Sequence, residues 1–215
     1  MEAASPLAVV LHATIVVAAA GLAVWTRPWR ALGPGGPPWP WLALFALLPL
    51  LWGLDRHAGV PLLPAMSGAP LLALMAGWPL AVLAMLPAAV VTALAGDVGA
   101  ADALQRLVWL GVAPATLTLA IGAALRRWLP KHLFVYILGR GFLGTLAALL
   151  LSSAAAALAA SPASPALADA FPARILAAFG EAFLTGMATS ILVAFRPEWL
   201  ATYTDRLYLP PAPRE

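Results

Sequence analysis

Cysteine is missing altogether from this 215-residue chain. Its absence excludes disulfides and any thiolate metal site. Charge is nearly as scarce: Asp, Glu, Lys and Arg make up 10% of the residues, and Lys131 is the single lysine beside eleven arginines. Soluble domains are about a quarter charged and about half apolar. Here 63% of residues are hydrophobic and the mean hydropathy is +0.92. A water-soluble fold could not hide that much apolar surface, so the natural solvent of the chain is the bilayer. Walker loop, dinucleotide fingerprint, zinc-protease helix and nucleophile elbow are also absent. Ser67 lacks the glycine two residues before it that an elbow needs, and it has no evident histidine partner. The chain is therefore expected not to be an enzyme, to carry no intrinsic cofactor, and to draw any energy for transport from another subunit.

What is present is a series of apolar runs. They predict an all-α integral membrane protein, a single polytopic domain over 1–215, with helices at about Pro6–Trp25, Trp41–Leu54, Pro61–Ala76, Pro79–Ala95, Leu104–Leu125, Leu133–Leu158 and Pro172–Phe195. Gly77, Trp78 and Pro79 break the run from Pro61 to Ala95 into a hairpin. The second, third and fourth helices are shorter than a straight span requires. The Gly/Pro-rich segment 26–40 reads as a cytoplasmic linker, and 197–215 as a cytoplasmic tail. With seven spans and the N-terminus outside, Arg27, Arg30, Arg126, Arg127, Lys131, Arg196, Arg206 and Arg214 fall inside, leaving Arg56, Arg106 and Arg174 outside. The first apolar run follows Glu2 and has its cations after it, as expected of an uncleaved first helix with a translocated N-terminus. The basic residues are scattered, so the net charge of +3 reads as topology and not as nucleic-acid binding. Arginine in place of lysine, with abundant Ala, Gly and Pro, suggests a GC-rich bacterial genome and a bacterial inner membrane.

Two charges fall within spans. Arg140 lies ~14 Å from the inner end of the sixth helix and Glu181 ~22 Å from the inner end of the seventh, a depth gap that two long side chains could close. They predict either an interhelical ion pair or a substrate path. Gly139, Gly141 and Gly144 beside Arg140, and Ala182 and Gly186 beside Glu181, permit close backbone approach there. Ala19 and Ala23 have the same small-xxx-small spacing and could dock a partner helix or an internal neighbour. His12 and His57 are candidate metal ligands on the outer half, where Asp55, Asp97 and Asp102 could join them, whereas His132 lies on the inner side.

Some wording is more specific. Gly180-Glu181-Ala182-Phe183-Leu184-Thr185-Gly186-Met187, Phe195-Arg196-Pro197-Glu198-Trp199 and Tyr203-Thr204-Asp205-Arg206-Leu207-Tyr208-Leu209 resemble a bacterial family of energy-coupling factor ABC transporter permeases. Leu129-Pro130-Lys131-His132-Leu133-Phe134-Val135-Tyr136-Ile137 and the Gly77-Trp78-Pro79 break are similar to it as well. That family is related to cobalt- and nickel-type substrate-binding membrane components. The resemblance implies a seven-helix component that binds a divalent metal ion or small cofactor for uptake, beside a transmembrane coupling subunit and two cytoplasmic ATPases. The chain departs from the cobalt-type pattern: it begins Met1-Glu2 where those members begin Met-His, and Ala65 or Met66 stands where a later histidine is expected. The alternative is an accessory or assembly factor of a membrane complex that uses the same scaffold without transporting.

Overall fold

Ser5 opens the first helix by accepting the Ala8 backbone N–H at 3.3 Å, and Pro6 takes the first helical position, where a missing N–H costs nothing. This helix, α1 (Pro6–Trp25), has the predicted limits. The computed structural model describes residues 5–32, 36–58, 64–95, 99–159 and 166–208. Over these residues α1 is followed by a 3-10 turn (Pro28–Ala31), α2 (Trp39–Trp52), the single-turn α3 (Leu54–His57), α4 (Ala69–Ala76), α5 (Trp78–Ala95), α6 (Ala100–Trp128), α7 (Val135–Ala159), α8 (Ala166–Phe195), a second 3-10 turn (Pro197–Trp199) and α9 (Asp205–Tyr208). Among the described residues all regular structure is helical. Five helices, α1 and α5 to α8, are long and apolar enough to cross a bilayer, so the chain is a helical membrane protein.

Two segments differ from expectation. The second helix starts at Trp39 inside the expected linker and ends at Trp52, where Gly53 breaks it before α3. The third expected span, Pro61–Ala76, is helical only from Ala69; residues 64–68 are non-helical, and 61–63 lie outside the described residues. Sequence explains the late start. Pro64 disfavours helix before it, Gly68 adopts φ +67°, and Pro70 belongs to a first turn.

An eight-residue helix survives because it never meets lipid. Apart from Leu71, every residue of α4 is buried, enclosed by α2, α5, α6 and α8. Non-helical backbone is tolerated at membrane depth when protein surrounds it. The far end of α4 is closed by the segment expected to be a tail: Ala201 N–H donates to the Met75 carbonyl at 2.9 Å and the Thr202 hydroxyl to that of Leu74 at 3.0 Å. These bonds satisfy carbonyls that a helix C-terminus leaves open. Tyr136, Leu200, Tyr203 and Tyr208 are buried around them, so 197–208 is a packed cap, while 209–215 lie outside the described residues.

Small residues set the helix spacing. A Cβ on Gly141 would stand 3.1 Å from Thr189, and one on Gly186 3.0 Å from Cβ of Phe142, so α7 and α8 touch through these glycines. Ala19 and Ala23 are buried in an internal core with Ala81, Val82 and Met85 of α5, so this stripe faces a neighbour within the chain.

Candidate functional site

The broken segment before α4 is held by side chains from α8 and α2 and by backbone carbonyls of α6 and α2. Glu181, on the buried stripe of α8 formed by Ala178, Glu181, Ala182, Thr185, Gly186 and Thr189, accepts the Ser67 N–H through Oε2 and the Gly68 N–H through Oε1, both at 2.8 Å. A carboxylate on the open N–H groups of a helix start is favoured by hydrogen bonding and by the helix dipole. Trp52, fully buried at the end of α2, donates its indole N–H to the Ser67 carbonyl at 2.8 Å. The Ser67 hydroxyl donates to the Leu110 carbonyl at 2.6 Å and accepts the Ala69 N–H at 3.1 Å. Met66 N–H reaches the Leu51 carbonyl at 3.0 Å.

Leu110 belongs to a π-helical stretch, Leu107–Val112, within α6. The wider turn re-registers the backbone ladder, and two of its carbonyls accept hydroxyls from elsewhere: Leu110 from Ser67, and Trp109 from Ser152 of α7 at 2.8 Å. Gly111 in the same stretch lies against Trp52 and Met85, where a Cβ would come within 3.2 Å of the indole.

Above this floor lies a cavity of about 460 Å³. Ser67 and Glu181 line it, with Pro64 and Ala65 of the broken segment, Gln105 and Trp109 of α6, Ser153 of α7 and Arg174 of α8. At its rim Arg106 grips Asp55 through two hydrogen bonds of 2.8 and 2.6 Å and also donates to the Trp52 carbonyl, while Arg56 meets Asp102 at 3.2 Å. Partial burial would raise the Asp55 pKa, but the bonds and charge of Arg106, aided by Arg56, outweigh it and hold the carboxyl below its ordinary value. No family model, curated protein or solved structure matches the chain.

The structure separates residues that sequence reasoning had grouped. Glu181 is occupied by backbone N–H groups, and no salt bridge joins it to Arg140 among the described residues. Arg140 instead lies in the π-helical start of α7, buried against Gly122, with its Cζ 6.0 Å from the Tyr136 ring centroid. His12 is buried and its Nε2 accepts the Trp109 indole N–H at 3.1 Å, which occupies the lone pair a metal would need. His57 is exposed and folds over Gly53. Asp55 and Asp102 are taken by arginines, and Asp97 lies outside the described residues. Among the described residues no three His, Asp or Glu side chains converge as metal ligands. Sequence reasoning weighed Ser67 only as a nucleophile and Arg106 only as a topology charge, and gave Trp52 no part in the site. Ser67 and Gly68 between two prolines were the available signal, because such a segment inside an apolar run breaks a span.

Proposed function

We propose that the chain is a membrane-embedded substrate-binding component of an uptake system, with the cavity above the broken helix taking a small polar organic solute. The observation that carries this is the cavity itself: a polar recess floored by non-helical backbone, the arrangement in which membrane transporters place solute sites. Its lining mixes Asp55, Asp102 and Glu181 with Arg106 and Arg174, and also offers Gln105, Ser67 and Ser153. The carboxylates are already engaged by arginines or backbone N–H groups, so the polar lining suits a small organic solute better than a bare cobalt or nickel ion, which needs a converging ligand set. Seven passes with the N-terminus outside are part of the proposal, α4 with its broken lead-in counting as one pass. Its support is charge: Arg56, Arg106 and Arg174 lie at the cavity end, whereas Arg126, Arg127, Lys131 and Arg196 follow the opposite ends of the helices. A bacterial inner membrane, a coupling subunit and cytoplasmic ATPases complete the reading, in line with the resemblance of the Glu181 and Tyr203 segments to energy-coupling factor permeases.

The accessory-factor reading keeps one observation in its favour, since Glu181 is spent on holding the fold. Purification from the native host in mild detergent, with mass spectrometry of associated proteins and bound small molecules, separates the two. Recovery of ATPase subunits together with a solute that is lost in Arg174→Ala is the expected result. A different membrane complex with no solute would overturn the uptake proposal.

A further inference from the structure

Arg140 is the most demanding side chain in the molecule. It lies less than two turns into α7, is 9% exposed, and its Nε is buried without a hydrogen-bond partner. No carboxylate among the described residues pairs with it. Yet the fold makes room for it: Gly122 of α6 is so close that a Cβ there would stand 2.5 Å from Nε and 2.8 Å from Cζ. A buried guanidinium without a counter-charge is costly, so a bare glycine face kept for it points to an anion from outside the chain.

The surroundings fit that anion. Arg140 lines a recess of about 10 Å³, room for about one oxygen-sized group, between the end of α6 and the start of α7, with Arg126 and Lys131 as its other charged lining residues and Tyr136 and Tyr208 beside them. Arg126 and Lys131 are exposed, so the cations run from the open side to the buried base. Among the described residues the recess contains no acidic side chain. Next to it Trp128 and Phe134 are exposed, at 78% and 64%, as aromatic side chains are at headgroup level.

We infer that the mouth of this recess is a binding site for a phosphate-bearing anion, one oxygen of which enters to Arg140 while Arg126 and Lys131 take the others outside. Guanidinium groups match phosphate oxygens in geometry and charge. Basic pockets between spans near a membrane face take acidic lipid headgroups, and the same chemistry would accept a free phosphate. The site is separate from the solute cavity and stands whether or not the uptake proposal holds.

The test measures the melting temperature of the delipidated full chain in neutral detergent, titrated with phosphatidylglycerol, phosphatidylcholine or inorganic phosphate. Phosphatidylglycerol is expected to stabilise the wild type at concentrations at least tenfold lower than phosphatidylcholine. That preference is expected to weaken severalfold in Arg126→Gln/Lys131→Gln and to vanish in Arg140→Gln. If inorganic phosphate stabilises as well as the lipid and is lost in the same variants, the site stands with free phosphate as its source. Equal responses to the two lipids with none to phosphate, or an anion response unchanged in the Arg126→Gln/Lys131→Gln variant, would overturn the inference. The double variant changes only exposed side chains, so it decides the matter even if Arg140→Gln does not fold.

Discussion

Glu181 and Arg140 are both charges buried within membrane helices, and the protein treats them in opposite ways. Glu181 is met by two backbone N–H groups at 2.8 Å, in a segment where α2 and α6 also contribute hydrogen-bond partners. Arg140 is given space by Gly122, and among the described residues its Nε finds no hydrogen-bond partner. The first charge has become part of the fold, whereas the second is held ready for something outside it. The lesson is that burial alone does not reveal a charge's role; its partners do. The largest effect should follow from breaking the satisfied site. Glu181→Ala strands two buried N–H groups, each worth about 1–3 kcal/mol, so a loss of about 4 kcal/mol is expected by steric-trapping or detergent unfolding. Glu181→Gln, which keeps one acceptor oxygen, should lose about half of that. An alanine variant as stable as the wild type would mean that the broken segment does not depend on the carboxylate.

Gly68 sharpens the same side of the comparison. Its φ of +67° disfavours any side chain, and a Cβ would stand 2.9 Å from Leu48 and 3.0 Å from Leu51. Left-handed strain of about 1–2 kcal/mol and overpacking of about 1–3 kcal/mol predict that Gly68→Ala costs about 3 kcal/mol in the same assay. Arg140 should respond with the opposite sign. Replacing even a buried ion pair by apolar side chains of similar volume is often neutral or stabilising by about 1–4 kcal/mol, and an unpaired buried charge lacks the partner's attraction that offsets its desolvation. Arg140→Met, measured in neutral detergent without anionic lipid, is therefore expected to gain about 1–2 kcal/mol. A loss comparable to that of Glu181→Ala would show that Arg140 is satisfied within the chain after all.

Much of the fold was legible because the bilayer enforces long apolar runs, and α1 has the limits read from its run, Pro6–Trp25. The hairpin at Gly77 was legible too, since Gly-Trp-Pro ends one helix and starts another. The length of α4 was not. Apolar composition says that a segment avoids water, but not whether it meets lipid or protein, and α4 is surrounded by protein. The site was less visible for a related reason: its floor is made of backbone groups of Ser67 and Gly68, which carry no side-chain signature. Arg140 and Glu181 stood out as charges in apolar runs, but helical rise gives their depth and not the directions they face. Turning α8 so that Glu181 meets Ser67 leaves its neighbour Thr189, two turns on, against Gly141 beside Arg140.

The smallest effect should come from the cavity rim, where solvent screens the charges. Asp55 is held by Arg106 at 2.6 Å with both side chains partly exposed. Its pKa is depressed: burial opposes ionisation, but the Arg106 bonds and charge prevail. A carboxyl whose pKa is lower folded than unfolded contributes stability that is full above the unfolded value, 3.8, and is lost as pH falls through the folded one. The stabilising contribution of Asp55 should therefore be constant from neutral pH down to about 5 and fade below about 4. At neutral pH it should amount to less than about 1 kcal/mol, as for other solvent-accessible pairs. Melting temperatures of wild type and Asp55→Asn across pH 3 to 7 check this: the two curves should run parallel at the upper end and converge at the lower. Curves that stay parallel to the acid end would mean that Arg106 is anchored by the Trp52 carbonyl and not by the carboxylate, making the rim pair a consequence of the helix ends and not a brace between them.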